Sequence, residues 1–493
     1  MALLSNRKSL YTVLCCVFTA ILLAVFGYLC FGNLGVWHIE DYDEAIFGVN
    51  AYEMIHNDDY LIHTYQGEID LYNTKPPLSF WMITLAYKIF GYNAFALRFF
   101  SALASLLGGI AIALWAMKHY GKWAVPFILL IFTANSILYG LHFLRYGDAD
   151  SQYELFFTLS MLCLLQSHKK FPWLYGCGFF FSLAFMEKSI HALVIPVVCF
   201  ITLVFTGRLK ELTWKRVFLL LASALSIILI WVIARIARNG TAFFTHAFQE
   251  DVVGRVGGGI AEPEYADMPS LIYNVLAVFG QPTTFLCLLL SIGSAAILIV
   301  KKIRLTPFSQ HAVIATLAWL VVPIALYSIA DVKFRWYVYS GLMAMPVLTC
   351  ILAFAVIRSG ALHKTVLISV SIFTAALIAM SVIDVVYVAT IKFDHTVQAF
   401  IQESLDRDLN SGEHAYILYA ENEYTNWMPA DILTAQYYGD LICINGGLDA
   451  FEADDEPCLL FIARTNNEEL IEELMGQEII FYENYYCVAF EKY

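Results

Sequence analysis

Eleven apolar runs constrain the fold of this chain more than any other feature of its sequence. A helix of about 20 apolar residues matches the hydrocarbon thickness of a bilayer, and backbone groups in hydrocarbon need partners within their own segment. Each run is therefore predicted to be a transmembrane helix. The predicted spans are 9–31, 95–117, 123–142, 151–167, 172–187, 189–206, 215–238, 271–300, 311–330, 336–357 and 364–392. With 14% charged residues and a mean hydropathy of +0.66, an ordinary soluble protein is excluded.

Lys and Arg residues cluster in alternate loops, before the first run and after the second, fourth, sixth, eighth and tenth. The positive-inside rule makes that side cytoplasmic. The alternation requires that 78–91 does not cross the bilayer, and this short segment is predicted to be an interfacial helix. The prediction is a multi-pass protein of the plasma (inner) membrane. Its extracytoplasmic loops would include 32–94, 144–150, 239–270 and 331–337.

The C-terminal part of the chain differs sharply in charge from the rest. From residue 394 onward there are 21 acidic and 3 basic residues, whereas the first 393 residues hold 21 acidic and 26 basic ones. We therefore predict a transmembrane catalytic domain at 1–393 and an acidic extracytoplasmic domain at 394–493. Short apolar runs alternate with helical periodicity in the second domain, which is typical of a small α/β fold. The predicted fold class is mainly α: a polytopic transmembrane bundle of about 11 spans, with juxtamembrane helices and this small domain.

The eleven cysteines do not indicate a disulfide framework, because eight of them lie in apolar runs. The other three, Cys443, Cys458 and Cys487, lack the CxxC spacing of a metal knuckle. No metal ligand is assigned and no cofactor is firmly predicted, although a divalent metal is left open. Nothing in the sequence indicates a nucleic-acid partner.

Two acidic pairs lie at predicted extracytoplasmic edges of the bilayer. Asp43 and Glu44 open a helical segment in loop 32–94, and Asp148 and Asp150 precede the fourth span. The structural alternative is that these acids cap helix N-termini. A carboxylate at a membrane edge is costly, however, and this favours a functional role.

Seven cations fall on the same predicted side, where positive charge is normally depleted. They are Lys75, Arg98, Arg145, Lys188, Arg255, Lys333 and Arg335. Each could extend from a helix end to water or neutralise a carboxylate of the protein. A phosphate at the membrane surface would account for the cations that these two explanations leave, because Arg and Lys both bind phosphate oxygens.

Together, these residue types indicate a transfer reaction. A carboxylate base would deprotonate an acceptor hydroxyl or amine while cations stabilise a departing phosphate. Since nucleotide sugars are absent outside the cytoplasm, the donor would be a polyprenyl-phosphate-linked sugar, and membrane lipids would surround it. The acceptor would be a glycan, lipid or protein. A single direct displacement predicts inversion at the anomeric carbon.

Several motifs resemble those of the GT-C membrane glycosyltransferases, in the branch of aminoarabinose–lipid A transferases and protein O-mannosyltransferases. The resemblance covers the chain from the first span to about residue 350. The matching pieces, in order, are Asp43-Glu44-Ala45, Asn57-Asp58-Asp59-Tyr60-Leu61, Lys75-Pro76-Pro77-Leu78 with Trp81, Arg98, Arg145 to Asp150, Glu250 with Arg255, and Lys333-Phe334-Arg335-Trp336-Tyr337 with Pro346.

The resemblance implies roles for individual residues. Asp43 would be the catalytic carboxylate and Asp150 its partner, with Glu44 in the same motif and Asp148 in reserve. Donor-phosphate binding would fall to Lys75, Arg255, Arg335, Lys333 and Tyr337. Supporting positions would be Arg98, Arg145, Asp148 and Lys188. Thr74 stands where many relatives carry an acid, which weakens any metal site borrowed from them.

Two other functions remain open from the sequence. A transporter or lipid-linked sugar flippase would place ionisable residues near the bilayer midplane on broken, repeated helices. Here the acids lie at helix edges, and the sequence shows no internal repeat. A non-catalytic scaffold would tolerate loss of the carboxylates, so substitution of Asp43 by Asn separates it from an enzyme.

Overall fold

The structure, a computed structural model, describes residues 2–140, 142–254, 265, 267–360, 364–405, 414–418, 428–464, 467–475, 479–484 and 487–492. It divides into two compact units. Unit 1 comprises Met1–Gly32, Thr74–Pro76 and Ser101–Thr390, and unit 2 comprises Asn33–Asn73, Pro77–Phe100 and Ile391–Tyr493. Unit 1 thus ends close to the predicted domain boundary, and the linear division at residue 393 stays a prediction.

Helices make up most of the fold. In chain order they are α1 Ala2–Phe31, α2 Asp43–His56, α3 Leu78–Phe90, α4 Ala94–Tyr120, α5 Ala124–Thr133, α6 Asp150–Ser167, α7 Trp173–Lys188, α8 Val194–Phe205, α9 Trp214–Asn239, α10 Ala242–Phe248, α11 Ser270–Phe279, α12 Pro282–Val300, α13 Pro307–Ile329, α14 Tyr339–Leu342, α15 Ala344–Arg358, α16 Lys364–Thr390, α17 Thr396–Leu405, α18 Pro429–Gly439, α19 Gly447–Ala453 and α20 Glu468–Leu474. The strands are β1 Thr64–Tyr65, β2 Glu68–Ile69, β3 His414–Leu418, β4 Ile442–Cys443, β5 Cys458–Ala463, β6 Ile479–Glu483 and β7 Cys487–Lys492.

Eight segments of the described chain are long and apolar enough to cross a membrane. They are Ser9–Phe31, Ala94–Tyr120, Trp173–Phe205, Trp214–Asn239, Pro282–Val300, Pro307–Ile329, Arg335–Arg358 and Ile368–Thr390. The eleven apolar runs of the sequence are helical throughout most of their length. Their number exceeds eight because α7 and α8 join into one segment, while α5 and α6 are too short or too polar to qualify.

Unit 1 is a helical bundle built around its last-but-one apolar segment. In Arg335–Arg358, 89% of the apolar window is buried, against 11% in Trp214–Asn239, so the first is central and the second peripheral. The largest fully buried side chain, Trp319 of α13, donates its indole N–H to the carbonyl of Ser340 at 2.6 Å. Close packing of α1 on α4 requires Gly109, because a Cβ there would lie 2.7 Å from the ring of Phe26.

Unit 2 contains the predicted α/β fold. Its five strands lie in the order β4-β3-β5-β7-β6, and β3 is parallel to both β4 and β5. Strand β7 is antiparallel to β5 and to β6, and β6 and β7 form a hairpin that closes the sheet. Every residue of β5 is buried, as its unbroken apolar sequence predicts, and Phe451 and Phe490 fill the core beside it.

The segments of loop 32–94 that belong to unit 2 include two helices. The helix predicted after the acidic pair is present as α2, which begins at Asp43, and the short predicted helix at 78–91 is present as α3. Helix α2 is buried continuously from Glu44 to Met54, because α3 and α18 both pack against it. The described C-terminal residues therefore support the helix that carries the acidic motif.

Candidate active site

A buried cluster of four charged side chains lies where α6 begins in unit 1. His142 Nδ1 lies 2.6 Å from Asp148 Oδ2 and 3.7 Å from Asp150 Oδ2. The ammonium of Lys188 contacts the other oxygen of Asp150. All four residues are at least nine-tenths buried. The structure thus brings together three predicted residues, Asp148, Asp150 and Lys188, with one that the sequence did not single out.

The local backbone explains how these side chains converge. Asp150 is the first residue of α6, and its N–H donates to Asp148 Oδ1 at 2.9 Å, so Asp148 satisfies one backbone N–H at the start of the helix although Ala149 is the N-cap residue. Lys188 ends α7, where Ser189 turns the chain with a φ of 40°. His142 itself has a φ of 57°. Such left-handed conformations are unfavourable for residues other than glycine and are concentrated at functional sites.

Burial and mutual contact distribute charge unevenly in this cluster. Burial alone would lower the pKa of His142, but hydrogen bonds to Asp148 and Asp150 raise that pKa to about 10. Burial and the Asp150 charge raise the pKa of Asp148 to about 7. Burial also acts to raise the pKa of Asp150, yet the charges of Lys188 and His142 outweigh it and hold that pKa below its ordinary value. Asp150 is therefore the carboxylate that stays ionised.

Aromatic side chains from the predicted late segment cover one side of the cluster. The Trp336 ring lies 4.1 Å from the His142 ring and stacks at 4.8 Å on Phe334. The Lys188 ammonium lies 5.2 Å from the centre of the Tyr337 ring, which is a cation–π distance. Tyr337, predicted as a donor-phosphate residue, is thus a direct neighbour of Lys188.

The two predicted cations of the same segment are placed differently. The Lys333 ammonium is buried, 3.6 Å from Asp331 Oδ1. Asp331 also accepts a hydrogen bond from the hydroxyl of Ser270, at the start of α11. The side chain of Arg335 is exposed. The segment therefore holds one buried cation beside Asp331 and one exposed cation.

Lys75, the lysine of the Lys-Pro-Pro motif, contacts an acid that the sequence did not predict. Its ammonium lies 3.8 Å from Asp251 Oδ1, and the hydroxyl of Thr74 donates to Asp251 Oδ2 at 2.7 Å. Asp251 is buried in a wide helical turn, Gln249–Val253, that follows α10. The motif resemblance pointed to the neighbouring Glu250, which is exposed. Arg255 lies outside the described residues.

Arg145 has a structural contact within unit 1. Its Nη1 donates to the carbonyls of Leu29 at 3.1 Å and Gly32 at 2.9 Å, where α1 ends. A guanidinium satisfies the last carbonyls of a helix and complements its dipole. Arg145 therefore contacts the end of the first predicted span, and its supporting role at the site stays a prediction.

In unit 2, the acidic motif divides into an exposed and a buried residue. Asp43 is exposed at the first position of α2, whereas Glu44 is fully buried. Arg98 donates to Glu44 Oε1 at 2.6 Å and to Glu44 Oε2 at 2.7 Å. The same guanidinium also donates to the carbonyls of Leu34, Trp37 and His38. Arg98 thus fixes the approach to α2.

The side chains of the unit 1 cluster that could bind a metal ion already form ion pairs with each other and with Lys188. The ring of His142 and the carboxylates of Asp148 and Asp150 could supply donor atoms to a divalent ion. That ion would have to displace the Lys188 ammonium or the imidazolium proton, because these groups already balance the carboxylate charges. In this cluster, the charges of the two carboxylates are therefore neutralised by His142 and Lys188 without a metal ion.

His142 and Asp251 are the site residues that sequence reasoning missed, whereas Trp336 was part of the matched late segment but was given no role. His142 is the last residue of the third predicted span, 123–142, and no pattern distinguishes a lone histidine there from a surface one. Asp251 follows Glu250 directly, and the matched motif drew attention to Glu250 alone. An available signal was the acid-rich Gln249–Val253 segment in an otherwise apolar region.

Comparisons with known proteins agree with this architecture. A family model described as dolichyl-phosphate-mannose-protein mannosyltransferase matches residues 74–234. An uncharacterized protein from Aquifex aeolicus is 32% identical over 133 residues, 27% of this chain and 26% of that protein. An undecaprenyl phosphate-alpha-4-amino-4-deoxy-L-arabinose arabinosyl transferase from Proteus mirabilis is 27% identical over 334 residues, 64% of this chain and 56% of the relative. The chain thus spans only part of the curated relatives it matches.

A solved structure resembles almost the whole chain. ArnT from Cupriavidus metallidurans, bound to undecaprenyl phosphate, has a TM-score of 0.69 at 15% identity, covering 96% of this chain and 97% of that one. The chain therefore has the fold of ArnT. The family model, the curated relatives and this fold all resemble the ArnT-like branch of the GT-C membrane glycosyltransferases, which confirms the resemblance predicted from the motifs.

Proposed function

We propose that this chain is a glycosyltransferase that moves a monosaccharide from a polyprenyl-phosphate donor to an extracytoplasmic lipid, envelope polysaccharide or protein. The observation that carries this proposal is the buried cluster of His142, Asp148, Asp150 and Lys188 at the start of α6. A pair of carboxylates held between two cations is costly to bury and contributes little net stability, which favours a functional reason for it.

In the proposed reaction, the acceptor oxygen or nitrogen attacks the anomeric carbon while the bond from that carbon to the phosphate oxygen breaks. The acceptor proton passes to the carboxylate of Asp43, and the phosphate oxygen keeps the electron pair. Asp150 is the proposed partner of Asp43 in orienting the sugar. One displacement of this kind inverts the anomeric carbon.

The departing phosphate needs positive charge but no strong acid. We assign this role to Lys75 and Arg335, with Arg255, Lys333 and Tyr337 as further candidates from the motif resemblance. The exposed side chain of Arg335 and the partly buried ammonium of Lys75 suit an incoming anion. Glu44 and Arg98 are proposed as residues that hold the helix of Asp43 rather than as groups that react.

The names of the relatives support the class of donor. The Proteus mirabilis relative is named for undecaprenyl phosphate-linked aminoarabinose, and ArnT was solved with undecaprenyl phosphate. For this chain we propose an undecaprenyl-type carrier, and we leave the sugar and the acceptor undefined. We also place the site on the extracytoplasmic side of the inner membrane, following the distribution of basic loops.

The test supplies purified protein in lipid nanodiscs with polyprenyl-phosphate sugars labelled in the sugar ring. Membrane extract provides lipid, glycan and protein acceptors. We expect label to leave the carrier for an acceptor, and the anomeric configuration of the product, read by NMR, to be inverted. Label that stays on the carrier for every sugar and acceptor contradicts transfer. If labelled carrier instead crosses the bilayer of a sealed vesicle, the flippase alternative is supported.

A further inference from the structure

We propose that Gln398, in the C-terminal segment, is a positioning residue for Asp43. This inference rests on the proposed function, because it takes Asp43 as the reacting carboxylate. Gln398 lies in the first turn of α17, far from the acidic motif in sequence but in the same unit. Its side chain contacts the short linker that precedes α2, which runs from Trp37 to Tyr42.

Gln398 holds the linker backbone at a single residue with both ends of its side-chain amide. The N–H of Ile39 donates to Gln398 Oε1 at 3.0 Å, and Gln398 Nε2 donates to the Ile39 carbonyl at 2.8 Å. Gln398 is 1% exposed and Ile39 is 5% exposed, so water cannot replace these hydrogen bonds. Ile39 stands only four residues before Asp43.

Other contacts fix the linker on either side of this point. Arg98 binds the carbonyls of Trp37 and His38, and the N–H of Glu40 donates to Glu44 Oε2 at 2.9 Å. The backbone between Ile39 and Glu44 must therefore turn within a few residues.

The turn occurs at Tyr42, which has a φ of 66° and a ψ of −122°. The Tyr42 side chain is 64% exposed, so burial of its own ring does not compensate for this conformation. Such a backbone persists only when its surroundings over-determine it. We infer that the linker contacts hold Tyr42 in this state and thereby set the direction in which Asp43 leaves the helix.

The rest of the C-terminal segment holds α2 itself. The hydroxyls of Tyr87 and Tyr437 lie 2.5 Å apart, which ties α3 to α18. A Cβ at Gly48 would overlap the side chain of Leu433, so α18 packs directly on the α2 backbone. The packing of α18 thus fixes α2 itself, and the contacts of Gln398 fix the linker that precedes it.

Removal of the Gln398 amide should therefore reduce turnover without weakening donor binding. The linker could relax and Asp43 could lose its orientation, whereas the phosphate-binding cations would stay in place. Misplacement of a reacting group by about 1 Å can cost about 100-fold in rate. For Gln398→Leu, which keeps the volume but loses both hydrogen bonds, we expect kcat to fall about 10- to 100-fold with KM for the donor unchanged.

Gln436→Leu is the matched control, because Gln436 is also a buried glutamine of the C-terminal segment and has no described contact with the linker. Its kcat should stay within about twofold of wild type. Tyr42→Gly is a second test, since glycine accepts the φ of 66° but does not hold it. The Tyr42→Gly variant should have the melting temperature of wild type in nanodiscs. Its kcat should fall while its KM for the donor stays constant.

The outcomes distinguish failure of the positioning role of Gln398 from failure of the proposed function. If wild type and Gln436→Leu transfer sugar and the folded Gln398→Leu and Tyr42→Gly variants match them in kcat, the positioning role is wrong and the proposed function stands. A rise in donor KM without loss of kcat also overturns the positioning role. If wild type transfers no sugar, the inference fails together with the proposed function.

Discussion

The guanidinium of Arg98 and the carboxylate of Glu44 form a two-fold hydrogen-bonded ion pair, with Nε–Oε1 at 2.6 Å and Nη2–Oε2 at 2.7 Å. Both side chains are at most 1% exposed. The pair joins the start of α4 to the start of α2, across 54 positions of sequence. It explains why an acidic residue is needed directly after Asp43 even though only Asp43 is exposed.

Glu44→Gln should destabilise unit 2, because it leaves the buried charge of Arg98 uncompensated. Breaking one side of a buried ion pair costs about 3–5 kcal/mol in unfolding free energy. The measurement is thermal or denaturant unfolding in nanodiscs. Glu68→Gln, at an exposed acid of the same unit, is the control and should leave the midpoint unchanged. Equal midpoints for both variants would contradict the structural role given to Glu44.

Lys188 and Asp150 should be coupled in stability, since each neutralises the other inside unit 1. Lys188→Gln alone leaves Asp150 with only the His142 charge and should cost about 3–5 kcal/mol. Lys188→Gln with Asp150→Asn should be less damaging than the sum of the single variants, with a coupling energy of about 1–3 kcal/mol. A double-mutant cycle on melting curves gives this value, and strict additivity would argue against the ion pair.

Asp251 should compete with the donor for Lys75. In the structure Asp251 Oδ1 lies 3.8 Å from the Lys75 ammonium, and an incoming phosphate must share or replace that contact. Asp251→Asn should therefore tighten binding of undecaprenyl phosphate about 3- to 10-fold, whereas Lys75→Gln should weaken it. Native mass spectrometry of lipid titrations measures both effects.

The control for this prediction is Asp267→Asn, at an exposed acid of the same loop. It should bind the lipid phosphate as wild type does. If Asp251→Asn weakens lipid binding while the control does not, Asp251 supports the phosphate site and does not occupy it.

Asp431 should make the stability of unit 2 depend on pH. Burial, and then the charge of Asp41, raise the pKa of Asp431 to about 8. The folded protein therefore binds a proton between about pH 4 and pH 8 that the unfolded chain has released, so this residue costs stability increasingly as pH rises.

Asp431→Asn removes the titration at nearly constant shape. The variant and wild type should melt alike near pH 4, and the variant should be more stable by about 1–3 kcal/mol near pH 8. Melting curves of both proteins across this pH range test the sign. A difference that shrinks as pH rises would show that Asp431 is ionised in the folded state.

Local patterns in the sequence were sufficient to predict the helices and most strands of the C-terminal sheet. The apolar run of β5 and the acidic start of α2 are properties of adjacent residues, so periodicity and capping chemistry locate them. The same reasoning found Asp150 and Lys188 as candidates but could not pair them, because a contact across 38 positions depends on how α6 and α7 pack.

The remaining site features depend on the folded backbone. The left-handed conformation of His142 leaves no signature in residue type, and the link between Gln398 and Ile39 spans 359 positions. Arg145 was predicted from its charge and from a matched motif, and neither could show that it donates to the last carbonyls of α1. The sequence identifies which residues can carry charge, but only the folded structure shows which groups each charged side chain contacts.

The most direct measurement compares sugar transfer by wild type, Asp43→Asn and Asp58→Asn, with the donor saturating and the protein folded in nanodiscs. Asp58 is an exposed acid of the same loop and serves as the matched control. Loss of a general base costs about 10²- to 10⁴-fold, so Asp43→Asn should lose at least about 100-fold in kcat while Asp58→Asn stays near wild type. Wild-type turnover by a folded Asp43→Asn protein would contradict the assignment of Asp43 as the base and, with it, the proposed mechanism.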